Sequence, residues 1–124
     1  MTTKVLAIDD SRTIRNLLRV SLEGAGFEFH SACDGQEGVD IFPDVDPDVV
    51  ITDINMPKLD GFGVIDTLRS GPNRTNVPIL VLTTESSDDL KTRARTAGAT
   101  GWIVKPFDDG SLVSVLRRLT GHVS

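Results

Sequence analysis

Apolar residues gather in five short runs along the chain: Val5 to Ile8, Phe27 to Ala32, Val49 to Thr52, Ile79 to Leu82 and Trp102 to Val104. Each has the length of a strand. Continuous rather than alternating apolar runs predict strands buried on both faces, hence a parallel sheet between helices. The second run departs from this: Phe27-Glu28-Phe29-His30-Ser31 alternates in polarity, as an edge strand with one covered face does.

Segments of helical length and period separate the runs. In the first, Ile14, Leu17, Leu18, Ser21 and Leu22 form one stripe while Arg12, Arg15, Arg19 and Glu23 face away. Asp10 or Ser11 caps its start, and Gly24 and Gly26 end it. The second helix is predicted to be short, cut by Pro43 ahead of an acidic turn at Asp44, Asp46, Pro47 and Asp48. The third carries Val64, Ile65 and Leu68 and closes at Ser70-Gly71-Pro72, and the last runs from Asp109 to Thr120 on Leu112, Val115, Leu116 and Leu119. The fourth, Ser87 to Ala97, offers the core only Leu90, Ala94 and Ala97 and leaves Lys91, Arg93 and Arg95 to solvent. So few apolar contacts make it the helix expected to move.

Strand and helix alternate five times, so the fold class is α/β: a doubly wound, five-stranded parallel sheet in a three-layer, flavodoxin-like sandwich. The 124 residues fit one domain spanning 1–124, with no room for a separate output module. Leu, Ile, Val and Phe make up 38 of them, far above the ~20% level that suggests disorder.

Charge alters the picture. Thirteen basic against 18 acidic side chains leave a net −5, the wrong sign for a nucleic-acid surface. The imbalance is local: residues 1–83 carry 7 basic and 13 acidic side chains, residues 84–124 carry 6 and 5. Cys33 stands alone, which fits a reducing compartment and reads by default as a buried structural thiol. No apolar run approaches the ~20 residues of a spanning helix, and only four apolar residues separate Lys4 from two aspartates. A cytoplasmic protein without membrane insertion is expected.

In open parallel sheets, functional groups collect beyond the carboxyl ends of the strands. The first strand ends in Asp9-Asp10, the third in Asp53, the fourth in Thr83-Thr84 and the fifth in Lys105-Pro106. The three carboxylates converge only if strands one and three are neighbours. With the amphipathic second strand outside, the order is 2-1-3-4-5. Taken singly, Asp10 or Ser11 could be a helix cap, Thr83 a strand residue and Lys105 a solvated end. Together, three carboxylates within ~4 Å repel by several kcal/mol unless a cation and the lysine compensate them. An all-oxygen donor set without a His or Cys pair points to Mg²⁺.

The segments Asp9-Asp10, Asp53-Ile54-Asn55-Met56-Pro57-Lys58-Leu59-Asp60-Gly61, Thr83-Thr84-Glu85 and Trp102-Ile103-Val104-Lys105-Pro106-Phe107 resemble the receiver domain of two-component response regulators, nearest to CheY-type stand-alone chemotaxis receivers. The resemblance covers essentially the whole chain and implies a definite set of roles. Asp53 is the phosphoacceptor, a carboxylate nucleophile toward a phosphohistidine or a small acyl phosphate. Asp10 and Asp53 bind Mg²⁺ directly, Asp9 through water, and the Asn55 backbone carbonyl completes the set. Lys105 supplies a second cation to the phosphoryl oxygens, and a cis bond before Pro106 aims it inward. Asp60-Gly61 ends a tight loop in which glycine supplies backbone freedom. Thr83 and Trp102 form the switch, where the family usually places Tyr or Phe at position 102. Asn55 and Glu85 speed dephosphorylation, while Thr84, bulkier than the family's common residue, narrows access.

The implied partners are a histidine kinase or histidine phosphotransfer domain as donor, and an output protein, such as a flagellar motor switch protein, on the face of helix four, strand five and helix five. That face contains Lys91, Arg93, Arg95, Trp102, Arg117 and Arg118. The chain is expected to be monomeric and to act as a switch rather than an enzyme. Other uses of the same site are a phosphorelay intermediate and a phosphate sink. An aspartate-nucleophile phosphatase fits worse, because that chemistry uses Asp-x-Asp after the first strand and here the two aspartates are adjacent. His30 and His122 read as incidental.

Overall fold

The computed structural model describes residues 2–71 and 74–121; Pro72 and His122 lie outside that range. Five strands, β1 (Lys4–Ile8), β2 (Glu28–Ala32), β3 (Val49–Thr52), β4 (Ile79–Thr83) and β5 (Gly101–Val104), alternate with five helices, α1 (Arg12–Gly24), α2 (Gly35–Val45), α3 (Gly61–Ser70), α4 (Asp88–Ala97) and α5 (Asp109–Leu119). All pairings are parallel, and the sheet order is β2-β1-β3-β4-β5, as the strand-end chemistry requires. Ile8 stands level with Thr52, so the chain leaves β1 and β3 side by side at Asp9 and Asp53.

Strand alternation splits the core into two layers. Leu6, Ile8, Val50 and Val81 face α2, α3 and α4 through Phe42, Phe62, Ile65, Leu68 and Ala94. Val5, Ala7, Val49, Ile51, Leu80 and Leu82 face α1 and α5 through Leu18, Leu22, Leu112 and Leu116. Each helix starts on a Ser or Asp cap whose side chain accepts an N–H three residues on: Ser11, Asp34, Asp60, Ser87 and Asp108. Such caps contribute about 1 kcal/mol apiece. No helix among the described residues is long and apolar enough to cross a membrane.

Several expectations need correcting. Leu17 is 52% exposed, because α1 rests on Leu18 and Leu22 and leaves its flank in solvent. Arg15 does not face away but folds back to the Asp9 carbonyl, 2.7 Å from Nη1. Pro43 does not cut α2, which continues to Val45 before Asp46 turns left-handed. A proline this close to the end removes one intrahelical bond without stopping the helix. Cys33 is exposed, since it follows the edge strand as the chain turns toward α2.

Two further side chains are placed differently. Arg93 stacks on the Phe62 ring of α3, 3.9 Å from its centroid, and Arg117 reaches 3.5 Å to the Ala25 carbonyl after α1. The face around β5 therefore keeps Lys91, Arg95, Trp102 and Arg118, which line two recesses beside that strand.

Candidate functional site

The site is built where β1, β3 and β5 end. Asp9 and Asp53 donate their backbone N–H groups to Ala32 and Ile8, so both positions are extensions of the sheet ladder. The Asp9 carboxylate accepts the Ser11 N–H at 2.9 Å through Oδ1 and Lys105 Nζ at 2.8 Å through Oδ2. The Asp53 carboxylate accepts the Ile54 N–H at 2.6 Å and the same Lys105 Nζ at 2.9 Å. Asp9, at 2% exposure, and Asp53, at 8%, are buried, whereas Asp10 is exposed. Carboxylate oxygens of all three lie within 4.8 Å of one another.

Burial dominates the Asp9 carboxyl and raises it above the ordinary carboxylate value, against the lowering effect of Lys105 and the Ser11 N–H. Burial would by itself lower the Lys105 ammonium, but the hydrogen bonds it donates to Asp9 and Asp53 turn the net shift upward. The Lys105–Pro106 peptide bond is cis.

The loop after β3 shows why glycine is required at position 61. Its backbone is not left-handed; a Cβ there would sit 2.2 Å from the Asp53 carbonyl oxygen. The loop instead takes its positive φ at Lys58, at 68°. The need at Gly61 is therefore close approach rather than the backbone freedom expected of it.

Around this cluster the remaining residues form a chain through Glu85. Asn55 Nδ2 donates to Glu85 Oε1 at 3.3 Å, the Glu85 N–H reaches the buried Thr83 Oγ1 at 3.4 Å, and Trp102 Nε1 donates to the Glu85 carbonyl at 3.0 Å. Thr84 is exposed at the rim. Trp102 packs against the α2–α3–α4 layer and is hydrogen-bonded toward the cluster through the Glu85 carbonyl. A hollow of about 610 Å³ lies between α1 and α5 and contains none of these groups. Three carboxylates at an open sheet edge need no deep cavity to hold a small, hydrated ion.

Asp9, Asp10, Asp53 and Lys105 are thus brought together, with Asn55, Thr83, Glu85 and Trp102 linked at the border. Sequence reading missed Arg15 and the Ser11 N–H. Ser11 was visible as a cap, whereas nothing in the helical period shows that Arg15 bends toward the loop preceding its own helix.

Fold and site together have the form of a two-component receiver, and the family model for the response regulator receiver domain matches residues 5–117. The chain belongs to that family. It is 40% identical over 120 residues to the probable transcriptional regulator ycf27 of Porphyridium aerugineum, covering 94% of this chain and 49% of that protein. It is 37% identical over 124 residues to the response regulator MprA of Mycobacterium sp. strain KMS, covering 100% of this chain and 53% of that protein. The chain spans about half the length of these curated relatives. Among solved structures, the chemotaxis protein CheY4 of Vibrio cholerae is similar with a TM-score of 0.90 at 40% identity, over 96% of this chain and 99% of that one.

Proposed function

We propose that this receiver is a phosphorylation-activated switch whose phosphoacceptor is Asp53. The observation that carries the reading is Lys105 Nζ held between Asp9 and Asp53, with Asp10 at the open edge. Three carboxylates and one ammonium sum to −2, which a divalent cation balances, and an all-oxygen donor set suits Mg²⁺. Asp9, Asp10, Asp53 and the Asn55 carbonyl would hold it. When bound, Mg²⁺ neutralises charge on the transferring phosphoryl group.

A carboxylate oxygen of Asp53 attacks phosphorus of a phosphohistidine in a histidine kinase or phosphotransfer domain. The P–O bond forms as the P–N bond breaks, and the bonding pair leaves with the imidazole nitrogen. Lys105 follows the charge from carboxylate to phosphoryl oxygen. Thr83, buried beside the site, donates its hydroxyl to the phosphoryl group and draws Glu85 and the start of α4 with it. Asn55 and Glu85 orient a water that attacks phosphorus, releasing inorganic phosphate and restoring Asp53. Thr84 limits that access. This is a self-catalysed cycle rather than turnover of an outside substrate.

Output leaves through Lys91, Arg95, Trp102 and Arg118 around β5. A chemotaxis role is supported by the likeness to the chemotaxis protein CheY4 of Vibrio cholerae, of which this chain covers 99%. A role as the receiver part of a transcriptional regulator is favoured by the curated relative ycf27, about twice as long. Relay and sink roles use the same site.

The test is intact-mass analysis after incubation with Mg²⁺ and a small acyl phosphate. One added phosphoryl group is expected, absent from Asp53→Asn and absent when Mg²⁺ is chelated. Labelling that survives Asp53→Asn would overturn the assignment.

A further inference from the structure

We propose that Arg15 is a positioning residue for the acidic site: its guanidinium clamps the Asp9–Asp10 peptide and thereby aims Asp10. The inference rests on the reading of Asp9, Asp10 and Asp53 as a divalent-cation site. Arg15 is half-buried, and its Nη1 lies 2.7 Å from the Asp9 carbonyl oxygen. That carbonyl belongs to the peptide joining Asp9 to Asp10. On either side the chain is already fixed. The Asp9 N–H is in the ladder with Ala32, and the Asp9 carboxylate is held by Ser11 and Lys105. Ser11 is the helix cap, with its Oγ accepting the Ile14 N–H at 3.2 Å and its carbonyl accepting the Arg15 N–H at 3.0 Å.

Asp10 is the weak point. It is the one exposed member of the three, and no hydrogen bond among the described residues holds its carboxylate. Its direction therefore depends on the backbone, and the remaining soft motion is a crankshaft rotation of the Asp9–Asp10 peptide. The bond from Arg15 opposes that rotation from one turn inside α1. Because the guanidinium meets a carbonyl and makes no ion pair among the described residues, its effect separates from its charge by sign. A bare positive charge near three acids repels an incoming cation, so losing it would tighten binding. A lost clamp loosens binding.

Mg²⁺ titration of the full chain by calorimetry, with wild type, Arg15→Met and Arg15→Lys, distinguishes the two. Arg15→Met is expected to weaken Mg²⁺ about tenfold, and Arg15→Lys, which keeps a donor, to recover at least part of that loss. In metal-free protein the Asp10 backbone amide, part of the clamped peptide, should shift and exchange faster in Arg15→Met while the melting temperature stays within a few degrees. Equal or tighter Mg²⁺ binding by Arg15→Met, no recovery in Arg15→Lys, or an unmoved Asp10 amide would each overturn the proposal. Should wild type take up no Mg²⁺, the cation-site reading fails, and the Asp10 amide alone decides on the clamp.

Discussion

Asp9 sits almost fully buried with only one ammonium shared between itself and Asp53, and this decides how stability should depend on pH. Its carboxyl is raised in the fold, so the folded chain holds that proton more tightly than the unfolded chain, and stability falls as pH rises from about 3.8 through the folded value. Asp9→Asn should therefore raise the melting temperature of metal-free protein at pH 7 by about 3–5 °C, roughly 1 kcal/mol, with the gain vanishing below pH 4. Lys105 titrates the opposite kind of group with the same sign. Its raised value contributes stability below about pH 10.5 that is lost above it. Lys105→Met leaves two buried carboxylates without a cation, and calorimetry without metal should show a loss of about 2–3 kcal/mol that added Mg²⁺ largely restores. These acids and the lysine were legible in the sequence because each directly follows an apolar run. Cys33 and Arg15 were not, since edge exposure and the bend of a long side chain leave no trace in periodicity.

Among the elements, the junction between the loop after β3 and α3 tolerates little change. Gly61→Ala would press a methyl into the Asp53 carbonyl, and a chemical denaturation curve should show a loss of about 2–3 kcal/mol together with slower phosphorylation. Helix α4 is the opposite case. The sequence rightly showed its thin apolar face, for Ala94 is its one buried residue, yet not the ties that hold it. Arg93 stacks on Phe62, and Arg69 of α3 donates to the carbonyls of Gly98 and Thr75 at 3.0 and 2.8 Å. Arg69→Ala should leave the sheet unchanged but speed hydrogen exchange across 88–97, measurable by mass spectrometry. Trp102 reports on the same region. Adding Mg²⁺ and beryllofluoride should change its emission, and an unchanged spectrum with Asp53 shown to be occupied would exclude its reorientation.

At the level of the whole molecule, strand order was readable because one chemical demand, the meeting of Asp9 with Asp53, leaves few topologies. The output surface was only half readable. Composition placed six candidate residues in the last third of the chain, but Arg93 and Arg117 are spent on α3 and on the end of α1. The Lys105 ammonium closes the site from 96 positions downstream of Asp9 and 52 downstream of Asp53. A chain emerging from the ribosome thus exposes its acids long before their counter-ion has been synthesised. Until β5 docks at the sheet edge, the nascent chain holds Asp9 and Asp53 without the ammonium that joins them in the finished fold. The charge balance of this sheet edge is complete only once synthesis and folding have passed the fifth strand.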